Sequence, residues 1–218
     1  MAPQRTPKLD RRLVADTALR LLNELGLDGL TLRAIAAELD VKAPALYWHF
    51  KDKQALLDEM ATEMMRRMTA ESAQGTHPTT DWRQAYRVTM STLRAHLLRY
   101  RDGARVYSGA RFTDTSYAPG LEASLQLLTR AGFTLDTATR AWYTGYTYTI
   151  GYVVEEQAMG PNPFDGTEGY DLDARAQRLA AYPLAVAAGR AMFQDFDQGF
   201  EQGLKAVLAG AEATLLPH

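Results

Sequence analysis

Apolar side chains return every three or four residues along most of this chain, and the places where that rhythm stops divide it into helices. Val14, Ala18, Leu21, Leu22 and Leu25 keep helical spacing behind Asp10, a residue type suited to cap a helix, and Gly26 stands where the helix should end. Thr31 is placed to cap a second, shorter helix reaching Leu39, with Leu32, Ile35, Ala36 and Leu39 as its apolar face. The segment DVKAP interrupts the pattern. Pro44, which has no N–H to leave unpaired, suits the first turn of a third helix, and Lys51, Asp52 and Lys53 separate that helix from the next.

Behind Asp52, another cap, Leu56, Met60, Met64 and Met68 fall four apart with Leu57, Ala61 and Met65 alongside, which predicts a long amphipathic helix. A loop is expected over 75–80. Asp81 with Gln84 then resembles a capping box opening a helix over 82–100, striped by Tyr86, Met90, Leu93 and Leu97. RDGARVYSGARF reads as an irregular connector, and 117–131 as a helix stopped by Gly132. WYTGYTYTIGYVVEEQ is ambiguous: Tyr146, Tyr148, Ile150 and Tyr152 alternate as in a strand. With no second convincing strand to pair it, helix is the better reading. A loop over 160–170, a helix over 173–188 disturbed at Pro183, and a last helix over 195–215 with Phe196, Phe200, Leu204, Val207 and Ala211 on one face complete an all-α fold.

Composition narrows the function. At 218 residues and 46% hydrophobic content the chain can bury a sizeable core. The lack of cysteine excludes disulfides, thiolate chemistry and Cys-zinc sites. No apolar run approaches the roughly 20 residues of a bilayer span, and the N-terminus has no signal-like apolar region, so a cytoplasmic location away from membranes is expected. The net charge of −2 is unevenly spread: residues 1–53 carry 9 Lys+Arg against 7 Asp+Glu, the remainder 15 against 19. Arg5, Lys8, Arg11 and Arg12 face only Asp10, a basic front compatible with nucleic acid or with a simply solvated tail.

Within APALYWHFKDK, Leu46 and Phe50 lie four apart and should anchor the third helix, leaving Pro44, Ala45, Tyr47 and Trp48 pointing elsewhere. Small residues followed by rings suit a helix entering a DNA groove, which is a helix-turn-helix reading. The alternative is a small helical core whose surplus rings are covered by a partner. Enzyme chemistry finds no footing. His49, His77, His96 and His218 are far apart, and no nucleophile elbow or glycine-rich phosphate loop occurs. Glu155 and Glu156 point about 100° apart on a helix. No catalytic residue, metal or cofactor is expected.

LTLRAIAAELDVKAPALYWHFKDKQALLDEM resembles the DNA-binding head of the tetracycline-repressor family, with its aromatic Leu-Tyr-Trp-His-Phe segment and charged turn. HLLRYRDGARVYSGAR, LLTRAGFTLDTA and GYVVEEQ resemble segments of the tetracycline repressors proper, and the likeness weakens over 160–179. The resemblance implies a helix-turn-helix domain over 1–52 and a ligand-binding and dimerisation domain over 53–218. It gives Arg33 a base edge to read, with a phosphate contact or a surface ion pair as alternatives. Thr31 and Lys53 match positions that hold the DNA backbone, or else act as a cap and a solvated charge. Tyr47 and His49 match groove-facing and phosphate-facing positions, or else pack on the head, and Trp48 joins the rings meeting DNA. Around Pro44 the family has polar base readers where this chain has Ala43 and Ala45, so recognition there rests on methyl contacts, shape or Lys42, and a different operator is expected.

The ligand positions depart further. Thr69, Thr89, Tyr107, Ala110 and Ser124 replace family residues, and only Arg111 and Glu155 keep their types. Tyr107 stands in place of a metal-binding imidazole and is a poor magnesium ligand at neutral pH. A magnesium-tetracycline site is therefore not expected. The resemblance implies instead a cavity for an aromatic or polycyclic effector, lined by Met64, Met68, Leu93 and Tyr107, with Thr69, Thr89 and Glu155 as hydrogen-bonding groups, although such a methionine stripe also suits plain core. The family is dimeric through its last helices, where Gly199 and Gly203 would permit close approach. The implied function is a homodimeric repressor of a palindromic double-stranded DNA operator, released by a small-molecule effector. An activator, or a small-molecule binder with a degenerate head, is the alternative.

Overall fold

Asp10 caps the first helix through Oδ1, which accepts from the Leu13 N–H at 2.8 Å, and Thr31 caps the second through Oγ1, accepting from Ala34 at 3.1 Å. In the computed structural model, which describes residues 9–75 and 79–216, every regular element is a helix. Arg5, Lys8, His77, His218 and the middle of the loop expected over 75–80 lie outside the described residues. The head comprises α1 (Arg11–Gly29), α2 (Leu32–Glu38) and α3 (Ala43–Tyr47). α4 (Lys53–Gly75), capped by Asp52, leads into α5 (Trp82–Leu97), α6 (Gly103–Tyr107), α7 (Ala118–Arg130), α8 (Leu135–Met159), α9 (Leu172–Arg178), α10 (Pro183–Phe193) and α11 (Phe196–Leu215).

Gly26 breaks α1 where the helix was expected to end, and a short helical stretch continues past it to Gly29. At φ +69° Gly26 turns the chain, and a Cβ there would meet Arg101 Nε at 3.0 Å. The helix expected over 82–100 stops at Leu97, and the connector read as irregular contains α6. Gly103 makes that possible: a Cβ on it would lie 2.3 Å from the Leu97 carbonyl oxygen. The helix expected over 173–188 is two helices, because Pro183 opens α10 instead of disturbing a longer one.

The strand-like Tyr/Thr segment lies inside α8. Thr144, Thr147 and Thr149 each donate a hydroxyl to the carbonyl four residues back, so these β-branched side chains satisfy themselves within the helix. Tyr148 and Tyr152, one turn apart, donate to the carbonyls of Phe200 and Phe196 on α11, both at 3.0 Å. One buried cluster runs from Val14, Leu22, Leu46 and Phe50 through Leu56 and Met64 to Tyr107 and Val153, so head and body share a core across residue 52. A second joins Trp82, Tyr86 and Met90 to Phe133, Phe200 and Leu204.

Gly199 and Gly203 allow close approach inside the chain, to α8. Cβ atoms on them would lie 2.4 Å from the Tyr152 hydroxyl and 2.2 Å from the Tyr148 hydroxyl. At Gly199 the next ring atom is 3.6 Å away, so the hydroxyl is the whole obstacle. Gly199→Ala should therefore cost about 1 kcal/mol by overpacking. In a Tyr152→Phe background the same change should be neutral or stabilising by up to about 1 kcal/mol, as alanine in place of glycine ordinarily is within a helix. Chemical denaturation of the four-member cycle reads this. Equal effects in both backgrounds would show that the hydroxyl does not set the spacing.

Candidate DNA-binding surface and ligand cavity

α3 buries one side and presents the other. Leu46 and Phe50 are fully enclosed, whereas Tyr47 is 54% and Trp48 90% exposed, with Pro44 and Lys42 also in solvent. Ala43, Ala45 and His49 are half-buried along its flank. Arg33 on α2 is exposed, and among the described residues neither its side chain nor that of Lys42 has an ion-pair or hydrogen-bond partner. Thr31 is occupied as the α2 cap, and Lys53 Nζ donates to the Leu27 carbonyl at 3.0 Å, tying the start of α4 to the end of α1. Two free cations and two outward rings thus stand together on a rigid two-helix unit.

Arg11 locks that unit to α4. Its Nη1 donates to the His49 carbonyl at 2.7 Å, its Nε to Glu59 at 2.8 Å, and its guanidinium carbon sits 4.7 Å from the centre of the Phe50 ring. Glu59 is almost wholly buried and also accepts from Arg66 at 3.1 Å and from the Thr113 hydroxyl at 3.0 Å. Arg66 reaches Asp114 at 2.7 Å. Glu63, equally buried, takes Arg12 at 3.3 Å and Arg67 at 3.2 Å. Burial alone would raise the Glu59 carboxyl, but hydrogen bonds from Arg11 and Thr113 outweigh it and hold the group below its ordinary value. Asp114 is lowered in the same way, burial being outweighed by Ser116 and Arg66. These charges therefore persist at neutral pH.

The far end of α4 walls a cavity of about 410 Å³ between α4, α5, α7 and α8. Of the residues expected there, Met68, Thr69, Thr89, Leu93, Tyr107 and Ser124 line it. Met64, Arg111 and Glu155 do not. Met64 is turned into the shared core, with no exposed surface. Arg111 is exposed beyond the cavity and donates its backbone N–H to Asp58, and Glu155 points into solvent from α8. The neighbouring Glu156 is the carboxylate held in place, by Arg94 at 2.6 Å and 2.8 Å. Ala110 packs against the core edge.

The wall also contains rings that the sequence reading did not assign: Phe112 and Tyr117 before α7, and Trp142, Tyr143 and Tyr146 on α8. The only signal for them was the i, i+1, i+4 spacing of the last three, which a core helix shares. Burial pushes the Tyr107 phenol far above its ordinary value and that of Tyr146 up to about 12, so both are uncharged. Among the described residues no three His, Asp or Glu side chains converge to hold a metal, and no helix is long and apolar enough to cross a membrane.

The bacterial regulatory proteins of the tetR family match residues 14–60, and the tetracyclin repressor-like C-terminal domain matches residues 74–215. The chain is 36% identical to the class C tetracycline repressor protein of Escherichia coli over 214 residues, covering 94% of this chain and 91% of that one. A possible TetR family transcriptional regulator from Streptomyces coelicolor A3(2) superposes with a TM-score of 0.79 at 37% identity, over 94% of this chain and 99% of that one. A TetR variant from Acinetobacter baumannii AYE in complex with minocycline does so with a TM-score of 0.72 at 33% identity, over 95% and 99%. With both halves matched in order and nearly the full length covered, the chain belongs to the TetR family of bacterial transcription regulators.

Proposed function

We propose that this regulator is a homodimeric repressor that grips a palindromic operator with Arg33, Lys42 and the outward face of α3, and is released by an aromatic or polycyclic effector bound in the α4–α8 cavity. The observation that carries the reading is that one helix, α4, begins against the head, where Lys53 bonds to the end of α1, and ends as a wall of the cavity. The coupling has a material path. Phe112 and Tyr117 line the cavity, the intervening Thr113 and Asp114 hold Glu59 and Arg66, and Glu59 holds Arg11, which holds the His49 carbonyl at the end of α3. A ligand that displaces the 112–117 segment loosens the seat of the recognition helix. It shifts DNA affinity by its differential binding to the two states, commonly about 1–3 kcal/mol. A magnesium-tetracycline chelate is a poor candidate, because among the described residues neither an imidazole nor a carboxylate lines the cavity.

α10 supports the dimer. Leu184, Ala187, Ala188, Ala191 and Met192 recur at helical spacing, and all are exposed. An apolar stripe of this kind suits a helix–helix interface with a second copy.

Selection of binding sites from a random duplex pool tests the DNA reading. Wild-type protein should enrich a palindrome. Arg33→Ala should weaken binding by about 1–3 kcal/mol and relax preference at one symmetric base pair, as expected when a bidentate arginine–guanine contact is lost. A uniform loss across all sequences would make Arg33 a phosphate contact. No enrichment would leave the chain a small-molecule binder with a degenerate head.

A further inference from the structure

We propose that the effector is an uncharged flat molecule carrying a hydrogen-bond acceptor oxygen, keto or hydroxyl, and that Trp142 selects it by donating from Nε1. This rests on the cavity being the effector site. Among the described residues the indole Nε1 of Trp142 is buried and has no hydrogen-bond partner, although a donor shielded from water ordinarily finds one. Trp142, Thr89 and Ser124 line both the cavity and an adjoining recess of about 20 Å³. A recess of that size admits about one water or a single projecting ligand atom.

The rest of the wall fixes the ligand's other properties. None of the described lining residues carries a formal charge, so a charged group would be desolvated without compensation. Trp142 and Tyr146 stack at 5.2 Å and 17°, and Tyr143 and Tyr146 at 6.0 Å and 22°, so the three rings are nearly parallel, an arrangement a flat molecule can extend by adding to the stack. Val88, Tyr117 and Tyr143, each more than a third exposed, form an apolar mouth.

Calorimetric titration of the intact protein with fluorene and 9-fluorenone tests this, since the two share a tricyclic skeleton and differ by a keto oxygen in place of a methylene. Wild-type protein should bind fluorenone roughly tenfold more tightly than fluorene, the difference one hydrogen bond ordinarily makes. Trp142→Phe should bring fluorenone down to the affinity of fluorene while fluorene changes little, which also shows that the variant is folded. Fluorenone-2-carboxylate should bind more weakly than either. Equal affinities on wild-type protein, a keto preference that survives Trp142→Phe, or tightest binding of the carboxylate would overturn the proposal. Gly120→Phe separates the two layers of inference, because position 120 lines the cavity and a Cβ there meets no atom within 4 Å. If that ring leaves the affinity for both probes unchanged, they bind elsewhere and the cavity reading itself fails. Binding of neither probe to wild-type protein overturns both.

Discussion

Ala188→Glu should convert the proposed dimer to monomers and remove specific operator binding. Ala188 lies at the centre of the exposed α10 stripe, between Leu184, which is 85% exposed, and Met192, which is 49% exposed. In a symmetric dimer each substitution appears twice, so two carboxylates would be buried together with no cation supplied by the stripe. Removing an unpaired charge from water costs several kcal/mol, enough to weaken association more than a thousandfold. A single head binds one half-site, so operator affinity should fall toward the non-specific level, a factor of about 10³ or more. The helix itself should survive, because Ala188 is exposed within the chain and touches none of its buried clusters. Sedimentation equilibrium and operator titration at one salt concentration read the result. A variant that stays dimeric with unchanged affinity would place the interface on another surface.

Phe50→Ala should lower the stability of the whole chain by about 3–5 kcal/mol, the usual cost of emptying a buried phenylalanine site. The ring has no exposed surface and carries Arg11 over its face, so its loss also loosens the arginine that seats α3. At roughly 2–4 °C per kcal/mol for a chain of this size, the midpoint should fall by about 10 °C. The shape of the transition is as informative as its position. Because the buried cluster around Phe50 runs on through α4 to Tyr107 and Val153, head and body should melt in a single step. A separate early transition, with the body melting at the wild-type temperature, would show instead that a boundary near residue 52 divides two independent units. Trp48→Ala, at a position almost wholly in solvent, should move the midpoint by no more than a degree or two.

What the sequence disclosed of this fold is what local chemistry decides. Asp10, Thr31 and Asp52 cap the helices they were expected to cap, and the alternation of Leu46 and Phe50 with Tyr47 and Trp48 distinguished anchor from outward face. α8 defeated local propensity because its threonines bond back along the helix and its tyrosines find carbonyls on α11, neither of which strand-like alternation reveals. The α9–α10 break was missed by treating Pro183 as a flaw in a helix, when proline is also a favoured opener.

The cavity was half legible. On α4 the lining face is Met65, Met68, Thr69 and Ser72, rotated by about one residue from the stripe drawn through Met64. Hydrophobicity alone cannot distinguish a wall facing a cavity from one facing a core. Glu155 and Arg111 were carried over by position, and their surroundings in this chain lead them to solvent. The α8 rings went unassigned because aromatic spacing on a helix looks the same whether it meets side chains or empty space.

The three tryptophans sit in three different media: Trp48 in water on the outer face of α3, Trp82 sealed against Phe133, and Trp142 on the cavity wall. Their emission should therefore separate by colour, Trp48 longest in wavelength and Trp82 shortest. Docking on DNA would quench the red component and filling the cavity would perturb the third. Both ends of the proposed switch can then be watched at once in an unlabelled molecule, and the order in which the two signals change after mixing would reveal whether effector arrival precedes or follows departure from the operator.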